Sequence, residues 1–448
     1  MKFKSTAIIA LGLIMSSVAY SQEEKIDTLN VLDQRVTSLE DVTLQSKKLK
    51  ISGYIQTQWQ SSQIDSLGKA SSDMKVGNTA KTGSETNDIN RFGIRRGRVK
   101  FLYDDAGYQG VLQLDMTEKG VSLKDAYLIV LDPWVGYLSL KGGVGDRPFG
   151  YEISYSSSRR ESPERSRIYQ ALFPDERDLG VSLILQAPKT SPWNVLKLEA
   201  GLFAGNGIFQ DNDSKKDFIG HLSYNKSLTT NMKIGLGASL YSGSVAETNK
   251  YIYSVTDGAY SVDSTSNINK DGFAKRQYFG FDGQFSMNSV LGLTTIRGEY
   301  LFGTQPGNSA NANSPKSGNI AGTDNLNTTS FVKGGTDTYI RKMSGGYVHF
   351  IQDIADTKHS IVVKYDWFDP NTDITGSQIG VGKKTSKVDV AYSTLGLGYM
   401  YRMNNNVRIM AYYDIVSNEK VNVISAALKG YSANLADNLV TVRLQYKF

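Results

Sequence analysis

Val440-Thr441-Val442-Arg443-Leu444-Gln445-Tyr446-Lys447-Phe448 closes the chain and decides how the rest is read. Val440, Val442, Leu444, Tyr446 and Phe448 are apolar or aromatic, and Thr441, Arg443, Gln445 and Lys447 between them are polar. Unbroken alternation with period two marks a strand with one face in an apolar medium and the other in water. The apolar face runs to Phe448 itself. A closed barrel whose last strand pairs with its first leaves no edge, so a transmembrane antiparallel β-barrel is the expected all-β fold.

Working back from that stretch, the alternation recurs near 51–60, 92–103, 107–116, 122–131, 136–143, 178–187, 194–204 and 217–227. It continues near 231–242, 276–287, 290–303, 338–352, 357–368, 391–403 and 406–417. With 439–448 this makes about sixteen strands, an even number, as a single-chain bacterial barrel requires. The facing of 122–131 and 338–352 is ambiguous. Long connections at 61–90, 144–177, 204–216, 243–275, 303–337, 369–390 and 418–438 are rich in Ser, Asn, Thr, Gly and Lys. They alternate with short turns such as Asp104-Asp105-Ala106, Asp132-Pro133-Trp134 and Met403-Asn404-Asn405-Asn406. Short periplasmic turns alternating with longer outer loops is the outer-membrane pattern, with both chain ends periplasmic.

The start of the chain fits export. Lys2 and Lys4 precede an apolar run from Ala7 to Met15, and Ala19-Tyr20-Ser21 is a small-x-small cleavage site. Residues 1–21 therefore read as a signal peptide and 49–448 as the barrel. Between them, 22–48 carries Leu29, Leu32, Val36 and Leu39 at helical spacing, a periplasmic helix or short coiled coil of about two heptads. Removing Lys2 and Lys4 lowers the formal charge from +6 to +4, so the mature chain is mildly basic. No stretch has about 18 consecutive apolar residues, which excludes helical spans. There is no cysteine, and 43 glycines and 26 tyrosines against nine prolines suit tight turns and aromatic girdles.

The charges suggest where function lies. Arg96, Arg98 and Lys100 share one parity, opposite Gly97, Val99, Phe101 and Tyr103. A cation on the lipid face costs about 2–4 kcal/mol at the midplane, so these three are expected to look into the lumen. Arg95 has the other parity and is expected at the outer rim, snorkelling towards lipid phosphates. By parity Lys197, Lys233, Arg297, Lys364, Arg408 and Arg443 are also pore-lining candidates, sharing the lumen with Asp115, Glu199, Asp282, Glu299, Asp366 and Asp414. The third loop holds Ser156-Ser157-Ser158-Arg159-Arg160-Glu161-Ser162-Pro163-Glu164-Arg165-Ser166-Arg167. If it folds inward, Arg159, Arg160, Arg165 and Arg167 form an anion-binding constriction, since guanidinium forks match phosphate or carboxylate oxygens. The bland reading is an exposed, self-paired basic loop.

The chain resembles the phosphate-selective porin family (porin O and porin P) in its Bacteroidetes branch. The resemblance is carried by Arg91-Phe92-Gly93-Ile94-Arg95-Arg96-Gly97-Arg98, by Arg147-Pro148-Phe149-Gly150 and by the segment from Ser156 to Arg167. Arg177-Asp178-Leu179-Gly180-Val181 and Val442 to Phe448 also carry it. It implies a barrel of about sixteen strands with the third loop in the lumen, passing small anions passively without a cofactor. It also implies a homotrimer among outer-membrane lipid and lipopolysaccharide, and a C-terminal strand that addresses the barrel-assembly machinery. Arg96, Arg98 and Lys100 take the place of the family's basic strand.

Other chemistries fit less well. His221, His349 and His359 lie on different strands without ligand spacing, so neither a metal site nor an enzyme is expected. Asp369-x-Asn371-x-Asp373 lacks the glycine and glutamate of a calcium loop and reads as a turn. His221 with Ser223 is ordinary lumen alternation, and Gly142-Gly143-Val144-Gly145 leads into a loop, not a nucleotide-binding helix. Nothing points to nucleic acid. The competing class is a non-conducting surface or adhesion protein that uses loops 243–275 and 303–337.

Overall fold

A computed structural model of the chain describes residues 48–65, 69–78, 88–246, 252–263, 272–315, 338–380, 384–422 and 425–448. The leader read at 1–21 lies outside these residues, as does the helix read at 22–48 apart from Lys48.

The first nine strands are β1 (Leu49–Gln63), β2 (Asp88–Asp105), β3 (Tyr108–Thr117), β4 (Gly120–Leu131), β5 (Leu138–Asp146), β6 (Arg177–Gln186), β7 (Leu196–Phe203), β8 (Asp217–Ser227) and β9 (Met232–Ala246). A short hairpin follows, β10 (Ile252–Thr256) and β11 (Ala259–Asp263). The last seven are β12 (Phe273–Ser289), β13 (Gly292–Gly307), β14 (Thr338–Asp353), β15 (His359–Asp369), β16 (Tyr392–Arg402), β17 (Val407–Asn418) and β18 (Leu439–Lys447). Setting the hairpin aside, sixteen strands pair in sequence order, with β9 against β12, and β1 paired to both β2 and β18. The sheet is closed and antiparallel throughout, so the barrel wall presents no free edge to lipid.

The C-terminal alternation is seen directly. Leu439, Thr441, Arg443 and Gln445 are buried on the inner face, whereas Val442, Leu444, Tyr446 and Phe448 are exposed outside. Gly53 and Phe448 exchange two backbone hydrogen bonds of 3.0 Å, closing the barrel at the last residue. The outer face is a band of large exposed apolar residues on every wall, among them Leu128, Val181, Leu222, Phe281, Val348 and Leu397. Aromatic pairs rim its ends, Tyr103 with Tyr108 and Tyr446 with Phe448 at one, Tyr300 and Tyr365 with Trp367 at the other. An apolar belt between aromatic girdles on a closed, even-stranded barrel is built for a bilayer, and places the protein in the outer membrane of a Gram-negative bacterium.

Both connection classes are present, with one difference: the link between β3 and β4 on the long-loop side is as tight as the turns of the other end. Two strands break the simple alternation. On β2, Phe92 and Ile94 are exposed outside, yet Arg96 and Arg98 of the same parity are buried within. The phase slips between Arg95 and Arg96, and the β2–β3 ladder begins only at Arg98 opposite Asp115. Arg95 therefore faces the lumen, which corrects its placement at the outer rim. On β4 the register shifts opposite Gln113 and Leu114, so Val121 and Leu128 both point outward despite opposite parity. That bulge is why 122–131 could not be assigned a face.

The region 243–275 is also not all loop, because it contains the β10–β11 hairpin. Asp257 and Gly258 both have positive φ, as a two-residue turn between twisted strands demands. The hairpin packs Tyr253 and Tyr260 against Tyr339, Ile374, Val390 and Leu428 to make a small core among the long loops.

Candidate functional site

Residues 147–176, between β5 and β6, lie inside the barrel and are tied to the wall along their length. One end is apolar. Phe149, Ile153, Tyr169 and Leu172 are buried against wall residues that include Tyr241, Tyr278, Leu301 and Tyr347. Ile168 to Leu172 belong to the one short helix here, α1 (Arg167–Leu172). Burying each such side chain contributes about 1.5–3 kcal/mol, more than most exposed ion pairs, so this cluster anchors the loop. It also bears on the ambiguous facing of β14, whose inner residues Met343 and Tyr347 are apolar because they pack in this cluster rather than face water, while Tyr339 packs against the β10–β11 hairpin.

A carboxylate lies beneath that anchor. Glu299 on β13 accepts the amides of Tyr151 at 2.8 Å and Glu152 at 2.6 Å, the Tyr347 hydroxyl at 2.6 Å and the Tyr169 hydroxyl. Gly150 leads into this turn with φ +62°, and a β-carbon there would collide with Tyr169 and Glu299. Only glycine combines that dihedral with that approach.

The rest of the loop is fixed by charge. Arg297 grips Glu161 through two bonds of 2.8 and 3.1 Å, its guanidinium 4.4 Å over the Tyr155 ring. Lys364 meets Glu152 at 3.3 Å. Glu164 receives Arg95, Arg96 and Arg443 from β2 and β18. Gln56, Gln445 and Arg408 donate to the carbonyls of Ser157, Ser158 and Arg160. The loop is therefore not self-paired, since its acids are neutralised largely by the wall.

The sequence-derived arginines separate in space. Arg165 is a clamp within the loop, donating to the carbonyls of Glu152 and Ile153 at 2.9 Å and paired with Glu176. Arg167 points to the long-loop end, bonded to Asp73 at 2.7 Å and stacked 4.6 Å over Tyr392. Arg159 is exposed towards the short-turn end, in a cavity of about 680 Å³. That cavity is also lined by Lys358, Arg402, Arg408 and Lys447, with no carboxylate among its lining residues. Arg160 lies in the loop's middle, 2 % exposed, and none of its three guanidinium nitrogens has a hydrogen-bond partner among the described residues.

Of the predicted pore-lining residues, Arg98 pairs with Asp115 at 3.1 Å and Lys197 with Glu199 at 3.2 Å. Lys100 is half-buried and lacks an ion-pair partner among the described residues. Arg96, Arg297, Lys364, Arg408 and Arg443 are in the lumen, but as holders of the loop. Sequence reading passed over Glu299 as a latch and Glu164 as a hub. It also passed over Arg147 with Asp178, and Arg177 with Asp125 and Asp146, which tie the strands flanking the loop. The signal available was an Arg or Asp at each strand end beside the loop.

The space beside the loop is divided into pockets of unequal size. Beside Ser162, Pro163 and Glu164 lies a pocket of about 30 Å³, against about 480 Å³ in the chamber at the long-loop end. The histidines stay apart: His221 pairs with Asp282 at 2.9 Å and His359 with Tyr399 at 2.6 Å. Asp369 accepts the Asn371 amide in a turn, and no cluster of three His, Cys, Asp or Glu placed for a metal occurs among the described residues.

No protein-family model matches the chain, and no curated protein sequence does. Solved structures do resemble it. OprB of Pseudomonas putida superposes with a TM-score of 0.51 at 8 % identity, over 92 % of this chain and 97 % of that one. The anion-selective porin from Comamonas acidovorans gives 0.50 at 10 % identity, over 89 % and 99 %. At such identities the likeness is one of fold, and it extends over whole barrels rather than a shared fragment.

Proposed function

We propose that the protein is a passive outer-membrane channel that prefers small anions, with phosphate-like oxyanions among its solutes. The observation that carries this reading is Arg160. A guanidinium offers five N–H donors in a planar fork suited to an oxyanion. Burying it without a hydrogen-bond partner costs several kcal/mol, and the field of an anion nearby in the lumen offsets part of that cost. Around it the loop carboxylates are occupied by cations, so the local field is positive for a solute. Arg159, Lys358, Arg408 and Lys447 continue that field towards the short-turn end. A narrow, low-dielectric neck makes such charges count for more than the net charge of the chain.

The resemblance to phosphate-selective porins and the fold likeness to an anion-selective porin point the same way. The residue pattern of the chain's start adds a leader removed at 21 and a periplasmic helix, and the resemblance adds a homotrimer. The test is recording in planar bilayers, with zero-current potentials in a salt gradient and chloride replaced by phosphate. Discrete conducting steps with potentials of anionic sign are expected. A stably inserted but silent protein overturns the channel and favours the surface-protein reading; cationic sign overturns the anion preference.

A further inference from the structure

The chamber at the long-loop end is a built cavity that anion conduction does not explain. Its volume of about 480 Å³ lies in the range of small-molecule sites, roughly 300–1,000 Å³. One wall is apolar, formed by Phe368, Val388, Val390, Tyr392, Tyr431 and Leu435. An inorganic anion has no use for such a wall.

The wall is preformed. The Tyr392 hydroxyl donates to that of Tyr431 at 3.2 Å, and Arg167 covers the Tyr392 ring. The turn Lys387–Asp389 is held by a capping box, and by Asp389 buried against Arg341, Tyr260 and Asn371.

The charges of the chamber are of both signs and do not all cancel. Arg167 and Asp73 satisfy one another at 2.7 Å, and Lys75 donates to the Ser72 carbonyl at 2.9 Å. Asp437, however, is 7 % exposed, and its Oδ1 has no hydrogen-bond partner among the described residues. A buried acceptor left without a donor is costly and rare. Lys387 and Lys69 are exposed at the same chamber, and their ammonium groups have no ion-pair partner among the described residues. A lone acceptor, free ammonium groups and an apolar wall in one cavity are complementary to a molecule that has all three opposites.

We propose that this chamber binds small zwitterions with an apolar side group, namely amino acids or short peptides. The ligand ammonium meets Asp437, its carboxylate meets Lys387, and its side group lies on Tyr392, Tyr431 and Leu435. The inference rests on the channel reading only in that the bound solute then continues through the lumen.

The probe is the dipeptide Leu-Leu, with its N-acetyl and C-amide forms, titrated by calorimetry into the full folded chain and added to single channels. Losing one charge-assisted hydrogen bond weakens binding about tenfold or more. Saturable binding of Leu-Leu is expected, about tenfold weaker for either blocked form, and about tenfold weaker to Asp437→Asn. The affinity of Asp437→Asn for the N-acetyl form should change little. Lys387→Gln should weaken Leu-Leu and leave the C-amide unchanged. The unmodified protein with its ligand series decides the matter even if Asp437→Asn fails to fold. Equal affinity for all three forms, or no saturable binding, overturns the site. Current steps without block or saturable binding overturn the site alone, whereas saturable binding to a silent barrel keeps it and overturns the channel.

Discussion

Arg95 and Glu164, 69 residues apart, are joined by two parallel hydrogen bonds of 2.6 and 2.7 Å. The same carboxylate receives Arg443 at 3.2 Å and Arg96 at 3.5 Å. Strands β2 and β18, the two neighbours of β1 at the closure, therefore hold the charged end of the inward loop through one side chain. The wall arginines position the loop, and this frees Arg160 from pairing.

Glu164→Gln keeps the shape and removes the charge, leaving three guanidinium groups around a neutral amide. Breaking a buried pair in this way costs about 3–5 kcal/mol. The barrel ladder does not depend on it, so the loss should fall on loop docking. Hydrogen exchange at 156–166 is expected to speed up while the strand amides of β2 and β18 stay protected. Unchanged exchange in the loop would show that the apolar anchor holds it alone.

Closure should be sensitive at Gly53. A β-carbon there would collide with the Arg98 carbonyl and the Phe448 ring, whereas one at Gly142 would meet only a Val181 methyl at 3.9 Å. Gly53→Val is expected to lower the heat-modifiable, folded fraction of barrel in the membrane, and Gly142→Ala to leave it unchanged. Equal yields would mean that β1 and β18 tolerate a shifted register.

What was legible in the sequence was what is local. Period-two alternation located the sixteen wall strands to within a few residues, because a strand's two faces are written in neighbouring positions. The β10–β11 hairpin was equally local, with Asp257-Gly258 between alternating residues, and was passed over because it sits within a long polar connection. The phase slip at Arg95 was hidden because parity propagates an error past any bulge. The roles of the lumen cations were out of reach for a different reason. Arg443 holds the Pro163 carbonyl from 280 residues away, and whether an arginine lines a pore or staples a loop is decided by such partners.

A separate prediction concerns the packed loops at the long-loop end. Asp389 is fully buried and accepts Arg341 at 3.0 Å, the Tyr260 hydroxyl at 2.7 Å and the Ser386 amide at 2.9 Å. Asp389→Ala leaves Arg341 buried without its carboxylate, a loss of about 3–5 kcal/mol. Limited proteolysis should then cut within 252–263 or 370–391 while the barrel keeps its heat-modifiable mobility. Resistance equal to the parent protein would show that the tyrosine cluster alone secures these loops.

The last prediction separates two arginines five residues apart that sequence alone treats alike. Arg165 is committed to Glu176 and to two loop carbonyls, so its charge is spent within the fold. Arg160 has no hydrogen-bond partner among the described residues, so its charge is not committed to a bond within the fold and acts on a solute through its field. Screening also favours Arg160, because exposed charges fade over a Debye length of about 8 Å while a buried guanidinium is screened much less. Arg160→Gln should move the zero-current potential in a salt gradient towards cation preference and leave hydrogen exchange in the loop unchanged. Arg165→Gln should do the reverse, loosening the loop with a smaller shift in potential. Both measurements are needed, since a loosened loop also widens the passage and dilutes selectivity. Equal shifts from the two variants, with equal exchange, would mean that the field of the lumen is diffuse and that Arg160 has no special part in it.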